Sequence, residues 1–302
     1  MSAVLPSTTP DLPGVQGPSH RALQWRRIRS HPGLLIGSVL LLAIVFLSMA
    51  APLIAPHDPY AQDLTRRMIP PAWYDEGSWA HMLGTDNLGR DYLSRLIYGG
   101  QISLLIGIFV MLISGTIGTT LGLIGGYFGG RADTVVSFVT TTRLAMPLIL
   151  VALAVVATIG GSLLVVMLVL GLLKWERFAV VTRAATQQVR SQDYVKAAKA
   201  AGASTPRIIF TEVLPNIMPQ LVVVATVEAA SAILIEASLS FLGLGVQPPL
   251  PSWGLMIAEA KAFMFFSFWM IALPGSALAL LVLAINMVGD GIRDVSAPDG
   301  RS

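Results

Sequence analysis

LAMPLILVALAVVATIGGSLLVVMLVLGLL, residues 144–173, runs for thirty residues without a charged side chain. A helix that crosses a bilayer needs about 20 apolar residues. The stretch could therefore form one long span, or two spans joined by a turn at Gly160-Gly161-Ser162. This choice decides how often the chain crosses a membrane and on which side each later loop lies.

Four further apolar stretches of membrane-spanning length flank this region: Leu34–Ile54, Ile102–Tyr127, Ile217–Leu242 and Phe263–Val288. If residues 144–173 are divided, the third and fourth spans are Thr134–Ile159 and Ser162–Val181. Lys and Arg are retained on the cytoplasmic side of a membrane. With six spans and a cytoplasmic N-terminus, 14 basic residues lie inside and 5 outside, whereas a single span here gives 6 inside and 13 outside. We therefore predict an all-α membrane protein of six transmembrane helices with both termini cytoplasmic.

The composition excludes several classes of function. Hydrophobic residues make up 54% of the chain and charged residues 12%, with a mean hydropathy of +0.70, whereas about a quarter of the residues of soluble proteins are charged. A net charge of +3 does not suggest a nucleic-acid partner, and the absence of cysteine excludes disulfides and thiolate sites. The histidines at 20, 31, 57 and 81 have no metal-ligand spacing, so we expect no metal. Because the phosphate-binding pattern G-x-x-x-x-G-K-[ST] is missing, we expect no cofactor in this chain.

Two hydrophilic segments interrupt the spans. Residues 57–100 are predicted to lie outside and to contain an interfacial helix that begins at Thr85 or Asp86, with Leu88, Tyr92 and Leu96 on one face. The predicted organisation is a disordered cytoplasmic tail 1–30, a first transmembrane helix 31–56, the outer segment 57–100, a five-helix core 101–295 with a cytoplasmic loop 182–216, and a tail 296–302.

The cytoplasmic loop contains SQDYVKAAKAAGASTPRIIFTEVLPN, from Ser191 to Asn216. Tyr194–Ala201 is rich in Ala and Lys, which favour helix. Gly202 is suited to end that helix in a left-handed conformation. Thr205 can cap a second helix, with Pro206 at its first position, where a missing N–H costs nothing.

The second helix of the loop has an apolar stripe, formed by Ile208, Ile209 and Val213, and Pro215 is predicted to end it. A short amphipathic helix needs a surface against which to bury such a stripe. One alternative is a helix that lies on lipid, but Arg207 and Glu212 make it a poor lipid binder. The pattern therefore favours a protein partner.

The order D-Y-x-x-A-A-x-x-x-G-A-S, then R-I-I and L-P-N, resembles the "EAA" loop of ABC importer permeases. In that family the second helix is a coupling helix that sits in a groove of an ATPase subunit. Asp193 stands where Glu is common, and Thr211-Glu212 replaces a common Arg-His pair, which reverses local charge and leaves the matching ATPase surface open. The resemblance assigns ATPase coupling to Asp193, Tyr194, Ala197, Ala198, Gly202, Ala203, Ser204, Pro206, Arg207, Ile208, Ile209, Leu214 and Pro215.

Three further blocks, at His81–Leu96, Glu236–Gly254 and Gly289–Asp294, are similar to the C-type permeases of the dipeptide/oligopeptide/nickel group. The resemblance implies the type I permease fold in a bacterial inner membrane. It also implies a heterodimer with a B-type permease, two ABC ATPase subunits that bind ATP and Mg²⁺, and an extracytoplasmic substrate-binding protein. Peptides are the first expectation for the substrate, with nickel–chelator complexes, opines or other small solutes as the alternative.

Three ionisable residues fall within the predicted spans, where such groups are costly and usually face the protein interior. Arg143 lies 9 residues into the third span and Glu228 11 into the fifth, both about 14–16 Å from the cytoplasmic end. We predict that they form an ion pair, with a structural role or one in the pathway. Glu236, near the outer end of its helix, is expected to be structural or to act in gating.

Two other classes of function fit this sequence less well. A secondary transporter would need inverted repeats and ion sites at the midplane, and no repeat is found. An intramembrane enzyme would need a nucleophile and a base, which Arg143, Glu228 and Glu236 do not supply. No catalytic residue is predicted.

Overall fold

The computed structural model describes residues 29–296, and this part of the chain is mostly helical, with isolated bridges and no strand. Most of the predicted N-terminal tail and the residues after 296 lie outside the described residues. The helices are α1 Pro32–Met49, α2 Ala51–Ile54, α3 Tyr92–Phe128, α4 Gly130–Leu144, α5 Leu148–Ile159, α6 Leu163–Leu173, α7 Glu176–Arg190, α8 Asp193–Ala200, α9 Thr205–Ile208, α10 Leu214–Phe241, α11 Trp253–Ala260 and α12 Trp269–Ser296.

Within residues 29–296, four helices are long and apolar enough to cross a membrane: Pro32–Met49, Tyr92–Phe128, Thr205–Phe241 and Trp269–Ser296. A fifth span results if α4 and α5, which bend by 79° at their junction, are one crossing. The predicted fourth span falls on α6 and α7, two shorter helices separated by Lys174 and Trp175. The membrane class is therefore confirmed, whereas the count of six and the orientation of the termini stay predictions.

The bend between α4 and α5 lies at Pro147, whose extended backbone forms the N-cap of α5. Proline has no N–H to donate to the preceding turn, and it disfavours helical geometry in the residue before it. The helix therefore ends at Leu144 and restarts at Leu148 in a new direction.

Helix α3 is the centre of the fold and packs along α7. Gly118, Gly122 and Gly126 lie one turn apart on its contact face. A methyl group built on Gly118 would lie 2.2 Å from the carbonyl oxygen of Trp175, and one on Gly126 would lie 2.7 Å from that of Arg183. Small residues at this spacing let two membrane helices bring their backbones together.

The predicted interfacial helix at Thr85 or Asp86 is wrong. The Asp86 carboxylate accepts hydrogen bonds from the backbone N–H of Leu88 (2.8 Å) and Arg90 (3.0 Å), and Gly89 has a left-handed φ of +74°. These interactions fold the segment into a turn. The helix begins at Tyr92 and continues without a break to Phe128, so Leu88 is not on its face.

The first helix of the cytoplasmic loop ends as predicted. Gly202 has φ +82°, its N–H donates to the Lys199 carbonyl (3.0 Å), and the N–H of Ala203 donates to that of Ala198 (3.1 Å). These two bonds complete a Schellman cap. The predicted cap of the second helix is wrong by one residue, because Ser204 is the N-cap and the helix begins at Thr205.

The predicted stop at Pro215 is also wrong. The chain passes from α9 through a π-helical turn, Ile209–Val213, directly into α10, so Thr205–Phe241 is one continuous helix of 37 residues. The wider π turn accommodates the proline ring. The side-chain amide of Asn216 donates to the Glu212 carbonyl (2.6 Å) beside it. Residues 205–213, which the family resemblance predicts to couple to an ATPase and which we call the coupling segment, therefore form one continuous helix with the fifth predicted span.

Candidate functional site

The apolar stripe of the coupling segment is buried by the chain itself. Ile208 and Val213 are essentially inaccessible and pack with Phe178 of α7 and Val195 of α8. Ile209 is half-buried. The stripe thus anchors the segment to the permease, and other residues have to meet any partner.

The opposite side of the coupling segment forms an exposed face. Phe210 is 66% exposed, Arg207 lies beside it, and Tyr194 of α8 is 43% exposed. A groove of about 220 Å³ runs between Gly202 and Thr211. Sequence reasoning missed Phe210, although its position two residues after buried Ile208 places it on the outer side of the helix.

The residues assigned to coupling divide by exposure. Half-buried are Ala198, Ala203, Ile209 and Leu214, and Ile208 is buried. Exposed are Asp193, Tyr194, Ala197, Gly202, Ser204, Pro206, Arg207 and Pro215.

Two arginines of α7 connect this helix to the end of α3 and the start of α4. Arg183 Nη2 lies 2.7 Å from Asp133 Oδ2, and Arg183 Nε pairs with the other oxygen of the same carboxylate. Arg190 donates to the carbonyl of Tyr127 (2.7 Å). A displacement of the loop would therefore be transmitted to the start of α4 as well as along α10.

The predicted Arg143–Glu228 pair is wrong. Glu228 accepts from Lys174 Nζ at 2.7 Å and lies 3.4 Å from Arg177 Nε. The Arg143 guanidinium instead donates to the backbone carbonyls of Met146 (3.2 Å) and Leu173. Leu173 is the last residue of α6 and Met146 lies two residues beyond the end of α4, and the helix dipole favours a cation at such C-terminal ends. Equal depth in two helices does not place two residues on facing sides, which is why the prediction failed.

The Lys174–Glu228 pair borders an open stripe of α10. Lys174 and Glu228 are buried, Lys174 also donates to Ser231 (2.9 Å), and the Arg177 side chain is 63% exposed. The stripe members repeat every three or four residues and are exposed or half-buried. They are Gln220, Val224, Val227, Ser231, Leu234 and Ser238.

A cavity of about 440 Å³ opens at the end of this stripe nearest Gln220, and it is bordered by Val181, Gln220 and Arg293. The stripe, the cavity and the neighbouring surface of α7 carry polar and positively charged groups, among them Gln220, Ser231 and Arg177. We call this surface the α7–α10 groove.

Glu236 joins α10 to α11. It is fully buried and accepts from the hydroxyls of Ser240 (2.7 Å) and Ser252 (3.0 Å). Ser252 is the N-cap of α11 and accepts from Leu255 N. These contacts support the structural role expected for Glu236.

An ionic cluster fixes the outer segment on the helical core. Arg90 Nε lies 2.6 Å from Asp86, and Arg95 Nη1 pairs with both Asp86 and Glu259, at 2.8 Å from the latter. Asp86, Arg90 and Arg95 are almost completely buried. Glu259, on α11, was missed from the sequence because its partners lie more than 160 positions earlier.

The outer segment also brings two histidines to one carboxylate. His57 and His81 lie beside Asp91, the N-cap of α3. Their spacing in the sequence gave no sign of a shared site, yet the centroids of the two rings lie 4.7 Å apart. Nearby, hydrogen bonds from Thr65 hold the pKa of exposed Asp63 below its ordinary value.

Comparison with known families identifies the chain. Residues 118–301 match the family model described as binding-protein-dependent transport system inner membrane component, and residues 19–71 match the N-terminal TM domain of oligopeptide transport permease C. The chain therefore belongs to the family of binding-protein-dependent inner membrane transport components. It is a multi-pass permease subunit of an ABC transporter, and the resemblance found from the sequence blocks is confirmed.

Individual relatives extend this result over almost the whole chain. The dipeptide transport system permease protein DppC of Haemophilus influenzae is 41% identical over 91% of this chain and 93% of its own length. The di/tripeptide transport system permease protein DppC of Pseudomonas aeruginosa is 42% identical over 95% of this chain and 94% of its own length. A solved structure of the MetNI methionine ABC transporter in an inward-facing conformation has the same fold, with a TM-score of 0.56 and 18% identity over 67% of this chain and 97% of that chain.

Proposed function

We propose that the chain forms half of the translocation pathway of an ATP-driven importer of dipeptides and oligopeptides. The observation that supports peptides as substrate is its 41–42% identity, across nine-tenths of the chain, to permeases named for dipeptide and di/tripeptide transport. Nickel–chelator complexes, opines and other small solutes are the alternative. A secondary transporter is disfavoured because it would not need the coupling segment.

The proposed partners follow from this role. A B-type permease completes the pathway, a substrate-binding protein delivers the peptide from outside, and two ABC ATPases dock on the cytoplasmic side. ATP and Mg²⁺ are held by those ATPases, and this chain performs no catalysis. Membrane lipid surrounds the remaining apolar surface.

The coupling segment transmits motion of the ATPase to α10. Because α9, the π turn and α10 are continuous, a force on Arg207 or Phe210 moves the helix that contains Glu228. The buried Ile208 and Val213 hold the segment to α7 and α8, so the docking face and the permease core move together. ATP-driven closure of the two ATPases would thereby reorient the pathway between its inward-open and outward-open states.

Co-purification tests this docking. The tagged full chain is expressed with its B-type partner and ATPases, and Phe210→Ala is compared with a substitution of Trp79, an even more exposed aromatic residue of the outer segment, to alanine. We expect Phe210→Ala to lose most of the ATPase while the B-type permease is retained, and Trp79→Ala to lose neither. Retention of the ATPase by Phe210→Ala, or failure of the wild type to bring any down, would contradict the docking assignment.

The α7–α10 groove is proposed to line the pathway. Buried Lys174 neutralises Glu228 at 2.7 Å, so the exposed Arg177 guanidinium adds positive charge to the open surface. A peptide enters with a carboxylate at its C-terminus, and a guanidinium is suited to bind it. The stripe residues Gln220, Ser231 and Ser238 offer further hydrogen bonds along α10.

Uptake by the reconstituted importer tests the pathway assignment. The substrates are a dipeptide and its C-terminal amide, each supplied with saturating binding protein. Arg177→Gln is expected to reduce uptake of the free-acid peptide about tenfold, equivalent to about 1.4 kcal/mol, and to affect the amide much less. Exposed Arg131→Gln on α4 is the control. Equal reductions for both substrates would show that Arg177 does not recognise the peptide carboxylate, and the importer assignment would still stand.

A further inference from the structure

His57, His81 and Asp91 come together on the outer segment from three separate stretches of chain. His81 Nδ1 lies 2.9 Å and His57 Nδ1 3.5 Å from the same oxygen, Oδ1 of Asp91. One ligand atom of each residue lies within 4.8 Å of the others, and the ring centroids are 4.7 Å apart. Two imidazole nitrogens and one carboxylate oxygen are therefore close enough together to contact a single ion.

Ser94 holds two of these residues in place. Its backbone N–H donates to Asp91 Oδ2 (2.8 Å), and its hydroxyl accepts from the backbone N–H of His57 (3.1 Å). Asp91 thus uses one oxygen to cap α3 and turns the other towards the imidazoles. Hydrogen bonds of this kind orient the ligands of metal sites.

The charge of Asp91 requires compensation. Its side chain is 1% exposed, and its basic partners among the described residues are His57 and His81. If both imidazoles are neutral, a buried carboxylate keeps its full negative charge, which is costly without a counter-charge. A cation held by these three residues would supply that counter-charge.

We propose that His57, His81 and Asp91 bind a divalent cation of the Zn²⁺ type. In tetrahedral zinc sites with metal–ligand distances of about 2.0–2.2 Å, ligand atoms lie roughly 3.3–3.6 Å apart. The His57–Asp91 distance of 3.5 Å lies within this range, and the His81–Asp91 distance of 2.9 Å would lengthen slightly when a metal binds. Imidazole nitrogen favours zinc and neighbouring transition metals, whereas Ca²⁺ and Mg²⁺ prefer oxygen. His57, whose side chain is 41% exposed, leaves the fourth position open to solvent.

The bound cation would join the segment after α2 and the turn at His81 to the first turn of α3. The Asp86–Arg95–Glu259 cluster lies next to this turn and reaches α11. Metal binding would therefore stabilise the outer segment as one unit with the core. This proposal rests on the outer segment alone and does not depend on the substrate.

Isothermal titration with ZnCl₂ tests the site, using the full chain purified in detergent through a tag without histidine. The wild type is expected to bind one Zn²⁺ per chain and to show a rise in thermal midpoint that EDTA reverses. His57→Gln, which keeps the backbone bond to Ser94, should bind at least tenfold more weakly, and Asp91→Asn should also lose binding. His31→Gln is the matched control, because His31 contacts the single carboxylate of Asp294 at 3.0 Å, and it should bind like the wild type.

Two results would overturn the metal site. Absence of saturable zinc binding by the wild type would mean that a proton on an imidazole supplies the counter-charge. Unchanged stoichiometry and affinity in His57→Gln would place the bound zinc elsewhere. If Asp91→Asn fails to fold, His57→Gln still decides between these outcomes.

Discussion

Lys174 Nζ lies 2.7 Å from a carboxylate oxygen of Glu228, and both side chains are almost completely buried. Removal of either partner leaves the other as an unpaired buried charge, which typically costs about 3–5 kcal/mol. We therefore expect Lys174→Met alone and Glu228→Leu alone to lower the thermal midpoint and the yield of assembled permease. The double variant should recover much of the loss, because apolar replacements of a buried pair are often tolerated.

The same measurement tests whether Glu228 and Arg143 are energetically independent. Arg143 donates to the carbonyls of Met146 and Leu173 and does not contact Glu228. Arg143→Met combined with Glu228→Leu should therefore give additive losses, within about 0.5 kcal/mol. A coupling energy above about 1 kcal/mol between these two positions would mean that the observed arrangement of α4 and α10 is wrong.

Ile208 and Phe210 should respond in opposite ways to truncation. Ile208 is 1% exposed and Phe210 66%. Ile208→Ala should destabilise the chain by about 2–5 kcal/mol through lost burial and a cavity. Phe210→Ala should change the free energy of unfolding of the isolated chain by less than about 0.5 kcal/mol, while reducing ATPase binding. Unfolding in detergent measures the first effect and co-purification the second; a large loss of stability in Phe210→Ala would show that its side chain is packed.

Local features of the sequence predicted local structure well. Gly202 was expected to adopt a left-handed conformation at the end of a helix, and its φ of +82° confirms this. Such a conformation depends on the residue itself and its immediate neighbours. Pro215 failed as a stop signal because the π turn before it relieves the clash on which the signal is based.

Contacts between distant residues could not be derived in the same way. Asp86 was expected to start a helix because it resembles a cap, but its carboxylate is engaged by Arg90 and Arg95 in a cluster that Glu259 completes. Hydropathy shows where a span lies in the sequence and how deep each of its residues lies. It does not show which face of the helix packs against which neighbouring helix. Lys174 was therefore not recognised as the partner of Glu228.

Loss of a charge from the buried outer ionic cluster should lower stability far more than loss of a charge from a surface ion pair. Arg95 is 1% exposed and pairs with Asp86 and Glu259, whereas the Arg66–Asp63 pair is about half exposed. Arg95→Met should cost about 3–5 kcal/mol because two carboxylates lose a buried counter-charge. Arg66→Ala should cost less than about 1 kcal/mol. Thermal midpoints of the two variants in the same detergent check this difference, and comparable losses would contradict the burial of the cluster.

The contact between α3 and α7 can be tested with two glycine-to-alanine substitutions. A methyl group on Gly118 would lie 2.2 Å from the Trp175 carbonyl oxygen, whereas one on Gly275 of α12 would meet no atom within 4 Å. Gly118→Ala should push the helices apart and cost about 1–3 kcal/mol or more, since backbone cannot yield as a side chain can.

Gly275→Ala should stabilise α12 by up to about 1 kcal/mol, because alanine loses less backbone entropy in a helix. Opposite shifts of the thermal midpoint in the two variants are therefore expected, together with lower recovery of Gly118→Ala from the membrane. If both substitutions are neutral or stabilising, α3 and α7 do not approach as closely as the glycine face requires. The connection from the coupling loop through α7 to the core would then have to run through α10 alone.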